Sequence, residues 1–107
     1  MTSLVTEVCD VMLGAAAKTL ASEWPKLRRC VEKVFEEQRE AIAAIVQARL
    51  AGEIDDDDFM EHLADEKEVI KAALLACSVQ GKSVAQKTAN AAISAVSKAI
   101  VIALIKR

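Results

Sequence analysis

The sequence predicts an all-α fold, an antiparallel four-helix bundle formed by one domain over residues 1–107. Apolar residues recur three and four positions apart along most of the chain, which is the spacing of helices. One proline and three glycines in 107 residues leave few breaks for strands or hairpin turns. The breaks are short, so consecutive helices are expected to lie side by side in opposite directions. The longer helices should be about 37 Å long, which predicts an elongated bundle.

The first helix is predicted over residues 3–21, and the junction after it allows two interpretations. Ser22 is placed to cap the second helix, with Pro25 in its first turn, where the missing N–H costs nothing. This pattern favours a tight turn. The alternative is one long helix kinked at Pro25, which would carry the first helix away and permit a helix-exchanged dimer.

The second helix, about residues 25–51, has one apolar and one charged face, and a well-specified junction follows it. Gly52 is placed to end this helix in a left-handed conformation. Asp55 is placed to cap the next helix, and Ile54 and Phe59 hold the positions of a hydrophobic staple. These residues predict an antiparallel hairpin of the second and third helices.

The third and fourth helices are predicted over residues 55–80 and 83–105. Gly81 is placed to end the third helix as a second left-handed glycine. Ser83 and Gln86 have the spacing of a capping box, which would begin the fourth helix.

The terminal helices carry more apolar surface than one bundle core needs. Residues 99–105 are apolar on every side of the helix, and such a helix belongs in a core or against a second surface. We therefore expect self-association, as a homodimer, through the first and fourth helices. The predicted contact residues are Val8, Met12, Ile93, Val96, Ile100, Val101, Ile102, Leu104 and Ile105.

The third helix has a strongly acidic face. Its carboxylates could simply cap the helix, interact favourably with the helix dipole and be solvated. Lys106 and Arg107, expected nearby, would partly neutralise their charge. Alternatively the face could capture a basic protein, as an inhibitor or immunity-type adaptor would. The residues of this face are Asp56, Asp57, Glu61, Asp65 and Glu68.

The three cysteines and the single histidine do not form a recognisable metal motif. Cys9, Cys30 and Cys77 are far apart and lie on predicted apolar faces, so we expect three free, buried thiols. Zinc ligands normally come in closely spaced pairs, which are absent. His62 has acidic residues four positions away on either side, a pattern that usually marks an ordinary surface residue. No cofactor or metal is expected.

Composition and motifs narrow the function further. A net charge of −2 argues against binding of nucleic acid, which requires concentrated positive charge. The longest apolar run has seven residues, against roughly 18 for a membrane span, and membrane binding is not expected.

The first residues do not resemble a secretory signal, which predicts a cytoplasmic protein. No phosphate loop or nucleophile motif occurs, so we predict an interaction protein and not an enzyme. A carrier of an apolar ligand is the remaining alternative.

Overall fold

The structure, a computed structural model, describes the backbone of residues 4–77 and 81–105, and their side chains except at Val5, Gly81 and 103–105. Within these residues the chain forms helices and turns without a β-strand, which confirms the all-α class. The described ranges contain four α-helices and one 3-10 turn, in the order α1 Leu4–Leu20, the 3-10 turn Ala21–Glu23, α2 Trp24–Leu50, α3 Asp56–Ala76 and α4 Gly81–Ile105.

The four helices pack in a cyclic order. Over the described residues, α1 packs on α2 and α4, and α3 packs on the same two helices from the opposite side. Across the diagonals, the described backbones of α2 and α4 approach closely at few points, and those of α1 and α3 do not approach closely. A ring of four helices that each contact two neighbours is the arrangement an antiparallel four-helix bundle requires.

Contacts near the two ends of the molecule give the helix directions. The end of α2 meets the start of α3 through an ion pair between Arg49 Nε and Asp56 Oδ1 at 2.7 Å. At the opposite end, Cys30 of α2 is linked to Cys77 after α3, so these helices are antiparallel. Met60 near the start of α3 lies 3.8 Å, sulfur to oxygen, from Ser97 of α4, and that pair is therefore antiparallel as well.

The core runs along the axis of the bundle and contains residues from every α-helix. Its largest fully buried side chains include Phe35, Met12, Ile42, Leu63 and Ile70. The molecule measures 38 × 28 × 21 Å, so its long dimension is close to the length of one helix. The elongation is therefore set by the helices themselves.

The junction between α1 and α2 is a tight turn, but Ser22 does not cap α2. Ser22 lies inside the 3-10 turn, and Glu23 holds the cap position with helical backbone angles and no side-chain capping bond. A capping side chain needs extended backbone angles at that position, which the continuous helical turn excludes. The chain reverses instead at Ala21, whose φ of +47° is left-handed. Pro25 lies in the first turn of α2, as predicted.

The junction between α2 and α3 is the one that the sequence predicts. Gly52 has a φ of +78°. Its N–H donates to the Arg49 carbonyl and the Glu53 N–H donates to the Ala48 carbonyl, which is the Schellman pattern of a helix end. The Asp55 side chain then accepts a hydrogen bond of 2.8 Å from the Asp58 N–H. This carboxylate caps α3.

The third helix is described only as far as Ala76, and its predicted end at residue 80 lies outside the described residues, but the predicted capping roles of Gly81 and Ser83 are wrong. α3 ends at Ala76, where the Cys77 N–H turns back to the Leu74 carbonyl and the disulfide holds Cys77 against α2. α4 already begins at Gly81, so this glycine is helical and cannot be a left-handed end for α3. Ser83 lies inside α4 for the same reason and is not its cap.

Candidate functional site

Most of the predicted self-association residues are used by the core of the chain itself. Five of them are buried within the chain: Val8, Met12, Ile93, Val96 and Ile100. Val101 and Ile102 are exposed, at 51% and 53% of their full surface. The side chains of Leu104 and Ile105 lie outside the described residues. The apolar surface that this helix presents to solvent is therefore concentrated near its end.

An apolar cavity of about 390 Å³ opens where α1 begins and where α2 and α4 end. Three of the predicted contact residues, Val8, Val96 and Ile100, contribute to its lining. The described apolar side chains that line it are Leu4, Val8, Val11, Leu50, Val96, Ala99 and Ile100. The cavity thus contains part of the excess apolar surface of the two terminal helices, whereas Val101 and Ile102 do not line it.

Two carboxylates complete the lining of this cavity. Glu7 and Asp10 of α1 both line it and both are exposed to solvent. Lys98 of α4 is also exposed, one helical turn before Ile102. The described residues contain no ion pair between Lys98 and either carboxylate. The cavity therefore combines apolar walls with an excess of negative charge.

A second, more polar depression lies between α3 and α4. It measures about 310 Å³, and its described lining is Met60, Lys67, Asn90, Ile93, Ser94 and Ser97. Its apolar surface is interrupted by hydroxyl, amide and ammonium groups that already face water. It offers less apolar area to a partner than the cavity between α1 and α4.

The predicted acidic face is present on the solvent side of α3. All five of its residues are exposed. Asp56 accepts the ion pair from Arg49. Asp57, Glu61, Asp65 and Glu68 have no ion pair with any residue that the structure describes, and their spacing places them in one stripe along the helix.

The prediction of three free, buried thiols is wrong for two of them. Cys30 and Cys77 form a disulfide with a Cα–Cα distance of 5.8 Å, and Cys30 is exposed. Cys9 is free and buried, and burial raises the pKa of its thiol. The pairing was missed because an odd number of distant cysteines gives no local signal. A usable signal did exist, since Cys30 and Cys77 lie almost equally far from the predicted turn at Gly52 in an antiparallel hairpin.

The charged residues around His62 do not assemble a metal site. His62 is exposed, and the described residues contain no group of three or more potential ligands that could hold a metal ion. Glu66 on the same helix is different, because its Oε2 is buried and no described residue forms a hydrogen bond with it. This burial raises the pKa of the Glu66 carboxyl, and the negative charge of Asp65 adds to the effect.

Comparison with known proteins gives no match to this chain: neither a family model, nor a curated protein, nor a solved structure corresponds to it. Among the described residues no helix is both long enough and apolar enough to cross a membrane. The class that the fold and the site define is an all-helical domain with an open apolar cavity between its terminal helices.

Proposed function

We propose that this protein is a non-enzymatic helical interaction protein that associates with itself, as a homodimer, through α1 and α4. The observation that carries the proposal is the open cavity at the junction of these helices. Part of its apolar lining, including Ala99, remains exposed to water in a single chain, and covering apolar surface is the main favourable contribution to protein association. Val101 and Ile102 add exposed apolar side chains to the same end of α4.

The shape of this surface suits a second copy of the chain. A two-fold symmetric contact uses the same patch on both partners, so a projection and a complementary hollow must lie side by side. Here the projecting Ile102 and the cavity walls at Ala99 and Ile100 belong to one helix. A stable interface buries roughly 800 Å² per partner, so the contact must extend along α1 and α4 beyond the cavity.

Light scattering coupled to size exclusion over a concentration series tests this proposal. We expect the native chain to be a dimer and Ile102→Glu to be a folded monomer, because the substitution places a charge on the projecting side chain. Val69→Glu is the matched control, since Val69 is 46% exposed but lies on α3. It should remain dimeric. A native chain that is monomeric at every concentration would refute the proposal.

Exchange of α1 between two copies is a second form of the same association. Straightening the chain at Pro25 would release Ala21 from its left-handed conformation, and short turns under strain favour such exchange. The α1 side chains would then fill the partner's core, and the dimer should persist in Ile102→Glu. Ala21→Gly relieves the strain of the closed turn, so it should shift the equilibrium from the helix-exchanged dimer toward the monomer.

The acidic face of α3 supports a different candidate, an inhibitor or immunity-type adaptor for a basic protein. The supporting observation is that Asp57, Glu61, Asp65 and Glu68 are exposed and lack described ion-pair partners. Such binding should weaken steeply with salt, since solvent-exposed charges are screened. Reversing the charges at Asp56, Asp57, Glu61 and Asp65 should abolish binding and leave the circular dichroism spectrum unchanged. Retained binding would refute this candidate.

An apolar ligand is the third candidate, and the cavity volume supports it. Ligand sites usually measure about 300–1,000 Å³ and are largely apolar, and the cavity of about 390 Å³ falls in this range. Native mass spectrometry of the purified chain should then detect a retained small molecule, and Val8→Glu should remove it. This candidate would be excluded if the purified chain retains no small molecule and also does not bind an added fatty amine.

The proposed cytoplasmic location has a consequence for the disulfide. Reducing compartments keep most protein thiols free, whereas disulfides persist in oxidising ones. In the cytoplasm Cys30 and Cys77 would therefore be thiols during most of the protein's life. Alkylation before cell lysis, followed by mass spectrometry, should find three modified cysteines if this location is correct and one if it is not.

A further inference from the structure

We infer that the cavity between α1 and α4 receives the Lys98–Ile102 turn of a second copy, and that Lys98 of each copy pairs with Glu7 and Asp10 of the other. The inference rests on the proposed self-association. It adds the apolar contact and the ion pairs that would make this self-association specific.

The cavity requires an occupant with two properties. Its walls are apolar, so the part that enters must be apolar to displace water favourably. The carboxylates of Glu7 and Asp10 are the charged groups of its described lining. An occupant that brings a positive charge to them would be attracted and oriented, whereas one that brings a negative charge would be repelled.

The exposed end of α4 has both properties within one helical turn. Lys98 and Ile102 are four residues apart, so their side chains lie on the same side of the helix. Both are exposed, and Lys98 forms no ion pair with a described residue. A lysine can also lay its aliphatic stem along an apolar surface while its ammonium group stays in water. The pair therefore matches the cavity in polarity and in charge.

Self-complementarity favours a second copy over another protein. The chain carries the cavity, its acidic residues and the Lys98–Ile102 turn at the same end of the molecule, as Ala99 and Ile100 of the intervening turn line the cavity. A two-fold axis at this end would form each contact twice. The matching charges lie on different helices, so they can be reversed independently.

Two charge-reversed variants test the inference when they are mixed. Lys98→Glu places a negative charge against the acidic lining of an identical partner, and Glu7→Lys with Asp10→Lys places positive charges against Lys98. Each variant alone should dimerise at least about tenfold more weakly than the native chain. A mixture of the two should form a heterodimer with an affinity near the native value, because both contacts are then between opposite charges. Lys87→Glu, another exposed lysine of α4, is the matched control and should dimerise normally.

Mixing the two variants distinguishes an ion pair between two chains from an ion pair within one chain. If Lys98 paired with Glu7 and Asp10 of its own chain, the mixture would associate no more tightly than either variant alone. The inference would be overturned, and the proposed function left intact, if the mixture shows no rescue while the native chain is a dimer and Ile102→Glu is a monomer. A native chain that never dimerises would refute both. Circular dichroism of each variant before mixing establishes that it is folded.

Discussion

At the scale of single residues, Ala21 is unusual because a residue with a side chain holds a left-handed position. Left-handed angles cost an L-residue roughly 1–2 kcal/mol, and glycine avoids most of this cost. The position is exposed, so the side chain gains little from packing. The local sequence predicts a tight turn here but does not predict the left-handed angle at Ala21, which alanine does not favour.

We expect Ala21→Gly to raise the free energy of unfolding by about 0.5–1 kcal/mol, because the gain at the left-handed angles exceeds the extra entropy of unfolded glycine. Urea denaturation measures the change. The same substitution at Ala44, exposed inside α2, should lower stability by about 1 kcal/mol. Equal destabilisation by both substitutions would show that Ala21 is not strained.

Glu66 is a second residue whose environment opposes its charge. Burial raises the pKa of its carboxyl above the ordinary value of 4.5, so folding favours the protonated form. The stability that this preference contributes is fully present below about pH 4.5 and is lost as the pH rises through the folded pKa. At neutral pH the charged, buried Oε2 has no hydrogen-bond partner among the described residues, which opposes folding.

Glu66→Gln should therefore raise the free energy of unfolding at pH 7, because it removes the buried charge, with a gain that shrinks toward zero below pH 4.5. Denaturant unfolding at several pH values measures this dependence. Glu68→Gln is the control, because Glu68 is exposed on the same helix. A gain that is independent of pH would show that the charge of Glu66 is not its cause.

At the scale of elements, α2 and α3 are the pair of helices joined by specific links at both ends. Their turn combines the left-handed Gly52 with the capping Asp55, and the Arg49–Asp56 ion pair lies beside it. The disulfide joins the other end of the same two helices. The pair is thus fixed at both ends, whereas α1 is joined to it through the turn at Ala21.

Loss of the disulfide should destabilise the chain by about 2–4 kcal/mol, because it closes a long segment and restricts the unfolded chain. The two half-cystines are 47 positions apart in sequence. Chemical denaturation of Cys30→Ser/Cys77→Ser measures the effect against the oxidised native chain. Cys9→Ala is the control for the remaining thiol, which is free. Reductant should lower the stability of this variant by the same amount as that of the native chain.

At the scale of the whole molecule, self-association should make thermal stability depend on protein concentration. Binding that occurs only between folded chains shifts unfolding by mass action, so the Tm of a dimer rises with concentration. Differential scanning fluorimetry over a hundredfold range of concentration should show this rise for the native chain. Ile102→Glu should have a concentration-independent Tm. A constant Tm in both would contradict a dimer coupled to folding.

Sequence patterns of short range determined a large part of this structure. Helical spacing of apolar residues predicted the all-α class, and Gly52 with Asp55 predicted the turn between α2 and α3. The acidic residues of α3 are exposed, as a charged helix face indicates. These features depend on backbone angles and solvation of a few neighbouring residues, which the local sequence specifies.

The remaining features were decided by the tertiary structure, because they depend on which distant side chains meet. The apolar periodicity of α1 and α4 indicated excess apolar surface, but only packing separated the buried Val96 from the exposed Ile102 and opened the cavity beside them. Likewise, the disulfide required the antiparallel register of α2 and α3, which brings Cys30 against Cys77. Burial and long-range pairing are properties of the assembled helices, so no single stretch of the sequence contains them.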